Sequence, residues 1–214
     1  MNFNDHSNLR GKHALFSPSS YYWLQDGEDD AIKRFCSSYA AQVGTILHEL
    51  ACDYIQFGVK MTKFDKKQLP LALLKNGIPP IVVDRQPMDD IFENMMNYVN
   101  DAVGFRMTPE VTLYYSEYVF GTADTIGYYE RDKLLRIHDL KNGVVKAKID
   151  QLMIYNALFF LEYGSFLRIS PEDVKQELRI YQGGEILYHN PDPDDTIMVM
   201  EQIKNMDKFV RKVA

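Results

Sequence analysis

Between residues 111 and 140 the chain carries three successive runs rich in β-branched and aromatic residues, and helical periodicity lies on either side of them. No other feature restricts the fold as much. Val111–Phe120, Gly121–Glu130 and Lys133–Leu140 are read as three strands. Upstream, Val43, Ile46, Leu47, Leu50, Ala51 and Tyr54 mark one face of a helix over 37–57, closed by Gly58. A shorter helix opens at Ser17-Pro18 and ends in Gln25–Asp30, and a third covers 87–103 with Ile91, Phe92, Met95, Tyr98 and Val99 as its stripe. Downstream, a helix over 148–163 stops at Gly164, and Glu177–Gln182 pairs with Glu185–His189 across Gly183-Gly184. Asp195 or Thr196 caps a last helix. No repeat or linker divides the chain. Residues 1–214 are therefore read as one domain, with a loose arm (1–16), a mainly helical part (17–103) and a sheet core with flanking helices (104–214).

The second and third strands join through Glu130-Arg131-Asp132-Lys133. A hairpin centred between Arg131 and Asp132 sets Asp124 opposite Asp139. Carboxylates so opposed repel. A pair of them beside Lys141 suits a hard cation such as Mg²⁺ or Mn²⁺. Such a cation can polarise a phosphoryl oxygen and generate a nucleophile from water. Lys141 lies two residues from Asp139, on the same strand face, where it can stabilise charge developing on phosphorus. A plain salt bridge explains Asp139 with Lys141 and leaves Asp124 unpaired. His138 falls on the opposite strand face and is excluded. His48 lies well off its helix's apolar stripe, one turn after Gly44, where a glycine lets another backbone come close.

Four pieces in order carry a resemblance: Gly44-Thr-Ile-Leu-His48, Gly121-Thr-Ala-Asp124, Asp139-Leu140-Lys141 and Gln151-x-x-x-Tyr155. Together they resemble the PD-(D/E)xK nuclease superfamily in its RecB-type branch. His13–Ser20 with Trp23 further resembles an uncharacterised phage-encoded group within it. The resemblance spans residues 13 to about 182 and implies an α/β fold. Its core would be a mixed central sheet flanked by helices, in the order αβββαβ, with an N-terminal helical elaboration. It implies that His48, Asp124, Asp139 and the Leu140 carbonyl bind one or two Mg²⁺ or Mn²⁺ ions and that Lys141 is catalytic. Gln151 and Tyr155 would hold the site and the DNA strand. Glu110 is a further acidic candidate without an assigned place. The function implied is a divalent-metal-dependent deoxyribonuclease, foremost an exonuclease of phage or prokaryotic recombination or replication. DNA is the implied partner, together with a single-strand annealing or recombination protein. The alternatives are a structure-specific or nicking endonuclease on the same core, and a DNA-binding module with a decayed site. After the lysine the chain reads Asn142-Gly143, where many relatives carry Thr or His-Gly.

Composition sets the remaining bounds. With 46% hydrophobic and 25% charged residues and a net charge of -6, the chain reads as globular and is a poor candidate for binding nucleic acid by bulk charge. Positive charge would have to be local: Lys60, Lys63, Lys66 and Lys67 in a connector ending at Pro79-Pro80, and Lys146 and Lys148 before a helix. The other reading of the connector is a solvated loop. Cys36 and Cys52 lack the spacing of a zinc site or an iron-sulfur cluster, so no cluster is expected. Reduced thiols, the absence of a signal-like or membrane-length apolar run, and the composition together give a cytoplasmic expectation, meaning the host cytoplasm if phage-encoded.

Overall fold

The computed structural model describes residues 4–143 and 145–213. Seven α-helices are described: α1 (Glu28–Ser38), α2 (Ala40–Gln56), α3 (Gln68–Lys75), α4 (Pro80–Asp84), α5 (Met88–Phe105), α6 (Asp150–Leu167) and α7 (Pro193–Val213). The strands are β1 (Thr108–Ser116), β2 (Val119–Tyr129), β3 (Leu134–Leu140), β4 (Lys175–Gln182) and β5 (Glu185–His189). They form one mixed sheet in the order β1-β2-β3-β4-β5, antiparallel except for the parallel β3–β4 pair. Parallel neighbours need a crossover, and α6 supplies it. The architecture is α/β, with helices on both faces of the sheet. No helix is long and apolar enough to cross a membrane.

Each sheet face has its own core. On one face α2, α3, α4 and α5 pack through Leu47, Leu69, Leu73, Val82, Met95 and Val99, with Leu140 and Tyr181 contributed by the sheet. On the other, Leu113, Ala123, Leu135, Ile137, Leu178 and Ile180 meet Leu152, Leu158 and Phe159 of α6 and Ile203 of α7.

The hairpin register between β2 and β3 is the expected one from Thr125↔His138 to Tyr129↔Leu134. Gly58 closes α2 at φ +66, with Val59 N–H bonding Tyr54 O and Gly58 N–H bonding Ile55 O. Gly183 and Gly184 take positive φ in the β4–β5 turn.

Several expectations are corrected. Residues 18–25 form a 3-10 helix, and Ser17 Oγ bonds Ser19 Oγ without capping it. The acidic cluster Glu28-Asp29-Asp30 opens α1, where negative charge suits the helix N-terminus, and does not end the helix before it. The lysine-rich connector is no open loop: it contains a 3-10 turn (Lys63–Lys67) and the helices α3 and α4. The first hairpin turns at Glu117-Tyr118, so Gly121 lies inside β2. Helix α6 runs past Gly164 to Leu167, because that glycine serves a close approach: a Cβ there would lie 3.1 Å from Ile169 O. Asp192, not Asp195 or Thr196, caps α7 by accepting the Asp194 N–H at 3.0 Å, with Pro193 in the first helical position.

Thr196 has a different task. It is buried with Asn156 and Gln176, donating to Gln176 Oε1 at 2.6 Å and accepting from Asn156 Nδ2 at 3.0 Å, which ties α7 to α6 and β4. Thr196→Val keeps the volume and removes two buried hydrogen bonds, leaving Asn156 Nδ2 and Gln176 Oε1 bonded to each other. It should lower unfolding free energy by about 1–3 kcal/mol in urea titration, and an unchanged midpoint would mean that the network contributes nothing.

The β3–β4 register is held by charge. Arg136 stands opposite Glu177 and His138 opposite Arg179. Glu177 Oε1 receives Arg136 Nε and Arg179 NH2, each at 2.8 Å, with His138 Nε2 at 3.7 Å. The contacts to His138, Arg136 and Arg179 hold the Glu177 carboxyl down to about 2 against the opposing effect of burial. The His138 distance is too long for a formed hydrogen bond, so the guanidinium contacts carry more weight. A carboxyl with a depressed native pKa gives stability that is present above the ordinary glutamate range and lost as pH falls toward about 2. Glu177→Gln should therefore be less stable than wild type at neutral pH and show a shallower acid loss, which melting curves across pH would measure.

Candidate metal centre

Alternation breaks in the middle of β2. Ala123 and Ile126, an odd number of residues apart, are both buried in the core under α6. One residue between them is therefore out of step, and Asp124 turns away from that core toward α2. Its Oδ2 lies 3.4 Å from His48 Nδ1 and accepts the Leu140 N–H at 3.0 Å. The carboxylate thus takes an amide of β3 just beyond the last paired residues, Thr125 and His138. Asp124 and Asp139 are not paired through the backbone as the continued register would have them. Asp139 is nonetheless close enough to raise the Asp124 pKa.

Across β1, Glu110 lies between the pairs Pro109↔Thr125 and Val111↔Ala123, at the level of Asp124. Its φ of +53 is a left-handed backbone for a residue with a Cβ, and strain of this kind costs about 1–3 kcal/mol. His48, Glu110 and Asp124 each offer a ligand atom, and these atoms lie within 4.8 Å of one another. The group sits in a cleft of about 600 Å³, walled on the α2 side by Ala41, Gly44 and Thr45. No backbone approaches Gly44: a Cβ there would meet nothing within 4 Å. The glycine keeps the cleft open.

Asp139 stands outside this three-ligand group, and its side chain is 3% exposed. Lys141 Nζ donates to Asp139 Oδ1 at 2.8 Å and to Gln151 Oε1 at 3.2 Å, while Gln151 Nε2 reaches the Tyr155 hydroxyl at 3.4 Å. Tyr155 lies close against β2 because residue 121 is glycine: a Cβ there would stand 3.0 Å from its ring. The structure thus forms two chains of contacts, His48–Asp124–Leu140 and Asp139–Lys141–Gln151–Tyr155, which meet at the Asp139-Leu140 peptide, and it adds Glu110 to the first. Leu140 engages through its amide, and its side chain is buried.

The lysines are placed differently. Lys60, Lys63, Lys66 and Lys67 do not line the cleft, and Lys66 pairs with Asp89. Lys146 borders a separate hollow with Gln182 and Glu185, and Lys148 is exposed just before α6. His138 is fully buried on the α2–α5 face of the sheet, against Tyr181. Both cysteines are free thiols, and Cys52 lines the cleft.

A sequence profile of the family described as "Protein of unknown function (DUF2800)" matches residues 13–182. The chain belongs to that family. The matched span contains the cleft and the Asp139–Lys141–Gln151–Tyr155 chain, and it leaves β5 and α7 outside. No curated protein and no solved structure matches the chain.

The last matched residue of this DUF2800 member is one that sequence reasoning passed over. Gln182 accepts the Ala147 N–H at 2.8 Å and donates to Gly143 O and Val145 O at 2.6 and 2.8 Å. It thereby ties down the segment between Lys141 and α6. A glutamine at a strand end carries no local signal for this. Glu110 had one: an acidic residue at a level that a register argument for the first hairpin would have matched with Asp124.

The donor set fits a divalent cation. Burial first, and then the negative charge of Asp139, push Asp124 up; burial and Asp124 push Glu110 up. Asp139 Oδ2 is buried with no hydrogen-bond partner among the described residues. An anionic oxygen left in that state is costly, and a cation between these carboxylates would satisfy it. His48, Glu110 and Asp124 could hold such an ion, with Asp139 at its edge. A native carboxyl pKa raised above its unfolded value costs stability once pH passes the ordinary carboxylate range, and the cost is complete above the raised pKa. Asp124→Asn should therefore raise the melting temperature of chelator-treated protein at neutral pH. Mn²⁺ in millimolar excess should raise it for wild type and much less for the variant. A wild-type melt indifferent to Mn²⁺ would count against the centre.

Proposed function

We propose that the chain is a divalent-metal-dependent deoxyribonuclease built on a PD-(D/E)xK-type core, acting foremost as an exonuclease in phage or prokaryotic DNA recombination or replication. One observation carries this reading. A ligand group of one histidine and two carboxylates stands beside a buried aspartate with an unsatisfied oxygen, and that aspartate holds a lysine in place. The order of elements from α5 to β4, αβββαβ, supports it. So does the family span, which encloses the whole constellation.

His48, Glu110 and Asp124 would hold Mg²⁺ or Mn²⁺. A nitrogen ligand among oxygens favours Mn²⁺ in affinity. When bound, the ion supplies Lewis acidity toward a phosphoryl oxygen and a lowered pKa for water. The chain's own residues do the rest. Lys141 presents its ammonium, fixed by Asp139 and Gln151, where charge grows on the phosphoryl oxygens. Tyr155, bonded to Gln151 and pressed against Gly121, sets the Gln151 amide. Gln182 restrains the segment after Lys141, so the cation does not have to be ordered during reaction. An annealing or recombination protein belongs to this reading as a partner.

The deciding experiment is digestion of linear, circular and end-blocked DNA, single and double stranded, with Mn²⁺ or Mg²⁺. Cleavage confined to free ends supports an exonuclease, and nicking of circles moves the reading to an endonuclease. No cleavage of any substrate, with Mn²⁺ bound, leaves only a decayed DNA-binding module. Lys141→Ala should keep Mn²⁺ affinity and lose about a hundredfold or more in single-turnover rate. A variant that cuts at the wild-type rate would reduce Asp139–Lys141 to a structural salt bridge.

A further inference from the structure

The face of the β1–β2 hairpin that carries Glu110 and Asp124 continues beyond them. The register sets Thr112 opposite Thr122 and Tyr114 opposite Phe120, on alternate residues and hence on the same face. The other face is closed: Leu113 and Ala123 are buried under α6, and Gly121 is covered by Tyr155. Thr112 and Thr122 are exposed and share a hydroxyl hydrogen bond at 2.9 Å. Tyr114 and Phe120 are 52% and 60% exposed, with ring centroids 6.4 Å apart and planes inclined by 30°. An open sheet face is normally polar. This one carries two large rings side by side at its outer end and the acidic group at its inner end.

We propose that Tyr114 and Phe120 form a stacking platform for unpaired bases of a nucleic-acid strand whose phosphate lies at the acidic centre. The inference rests on the nuclease reading and names its substrate class, a single-stranded segment or frayed end. Four residues of antiparallel strand separate Glu110 from Tyr114, about 14 Å at ~3.4 Å per residue. That is the span of about two to four nucleotides, from extended to stacked. The threonine hydroxyls between are placed to bond sugar or phosphate oxygens. Charge supplies little of the grip: the chain carries -6 overall, and no connector lysine lines the cleft. Base–aromatic stacking holds a strand without depending on phosphate neutralisation, and it is indifferent to sequence because every base has a π-face. A cross-strand aromatic pair can also serve only to stabilise a hairpin, which predicts a change in melting temperature alone.

The test uses full-length protein with Ca²⁺ replacing Mg²⁺ or Mn²⁺, and single-stranded oligonucleotides carrying 2-aminopurine at successive positions. Wild type should change the fluorescence at a few adjacent positions and leave the others unaffected. Phe120→Ala and Tyr114→Ala should abolish that position-specific signal and weaken binding by about 5- to 150-fold. Phe120→Leu, which keeps apolar bulk in the hairpin, should lose the signal as well. In cleavage assays the loss should fall on KM for single-stranded substrate, with a much smaller effect on the maximal rate and none on Mn²⁺ affinity. Several outcomes overturn the platform: equal affinity of wild type and variants, a wild type that cuts but gives no position-specific signal, or a melting-temperature loss with unchanged binding. A change in oligomeric state on Phe120→Ala would make the rings a protein contact instead. Failure of the nuclease reading would show separately, as a wild type that neither binds nor cuts any DNA.

Discussion

The contact on which the site depends is the hydrogen bond from the Leu140 amide to the Asp124 carboxylate. β2 and β3 pair through five residues and then stop. The next amide of β3 must find an acceptor, and a side chain provides it. This substitution lets Asp124 leave the step of the strand, face α2 and meet His48. It also seats the chain between Asp139 and Lys141 at a fixed height above the end of the sheet. Strand pairing positions these residues to the point where it ends, and a carboxylate sets them beyond it.

Electrostatic cost is concentrated in the same place. Burial and a neighbouring carboxylate push both Glu110 and Asp124 up, Asp139 has a buried oxygen without a hydrogen-bond partner among the described residues, and Glu110 itself holds a left-handed backbone. Elsewhere buried charges are paired, although His138 Nε2, Asn156 Oδ1 and Arg179 Nε make no hydrogen bond. Glu177 receives two guanidinium contacts, and Thr196 completes a network across three elements. Of the unpartnered buried atoms among the described residues, Asp139 Oδ2 is the carboxylate oxygen, and it lies near a carboxylate that it repels, a cost that a bound cation can relieve.

The helices serve the sheet unequally. α2 brings one ligand and a wall of small residues, and α6 carries Gln151 and Tyr155 against the opposite face. Gly121 and Gly44 have contrasting reasons for lacking a side chain: one admits a tyrosine ring, and the other leaves space empty. The same residue type, read from a motif, could not say which.

Periodicity by itself determined α2, α5, the β2–β3 register and the β4–β5 turn, because each follows from local side-chain spacing or a positive φ at glycine. That register, continued, would set Asp124 directly opposite Asp139, a pairing the sheet does not form because it ends at Thr125 and His138. Tertiary structure decided what local pattern does not encode. Asp139 went to Lys141 and stayed outside the ligand group, and Glu110 entered it because β1 places that residue level with Asp124. The connector lysines were drawn away from the cleft, since α3 and α4 fold in that stretch and pack against α2 and α5. Gln182 reached across to a segment far away in sequence. A ligand set is a convergence of side chains from α2, β1 and β2, and the direction in which each one points is fixed only when those elements are packed together.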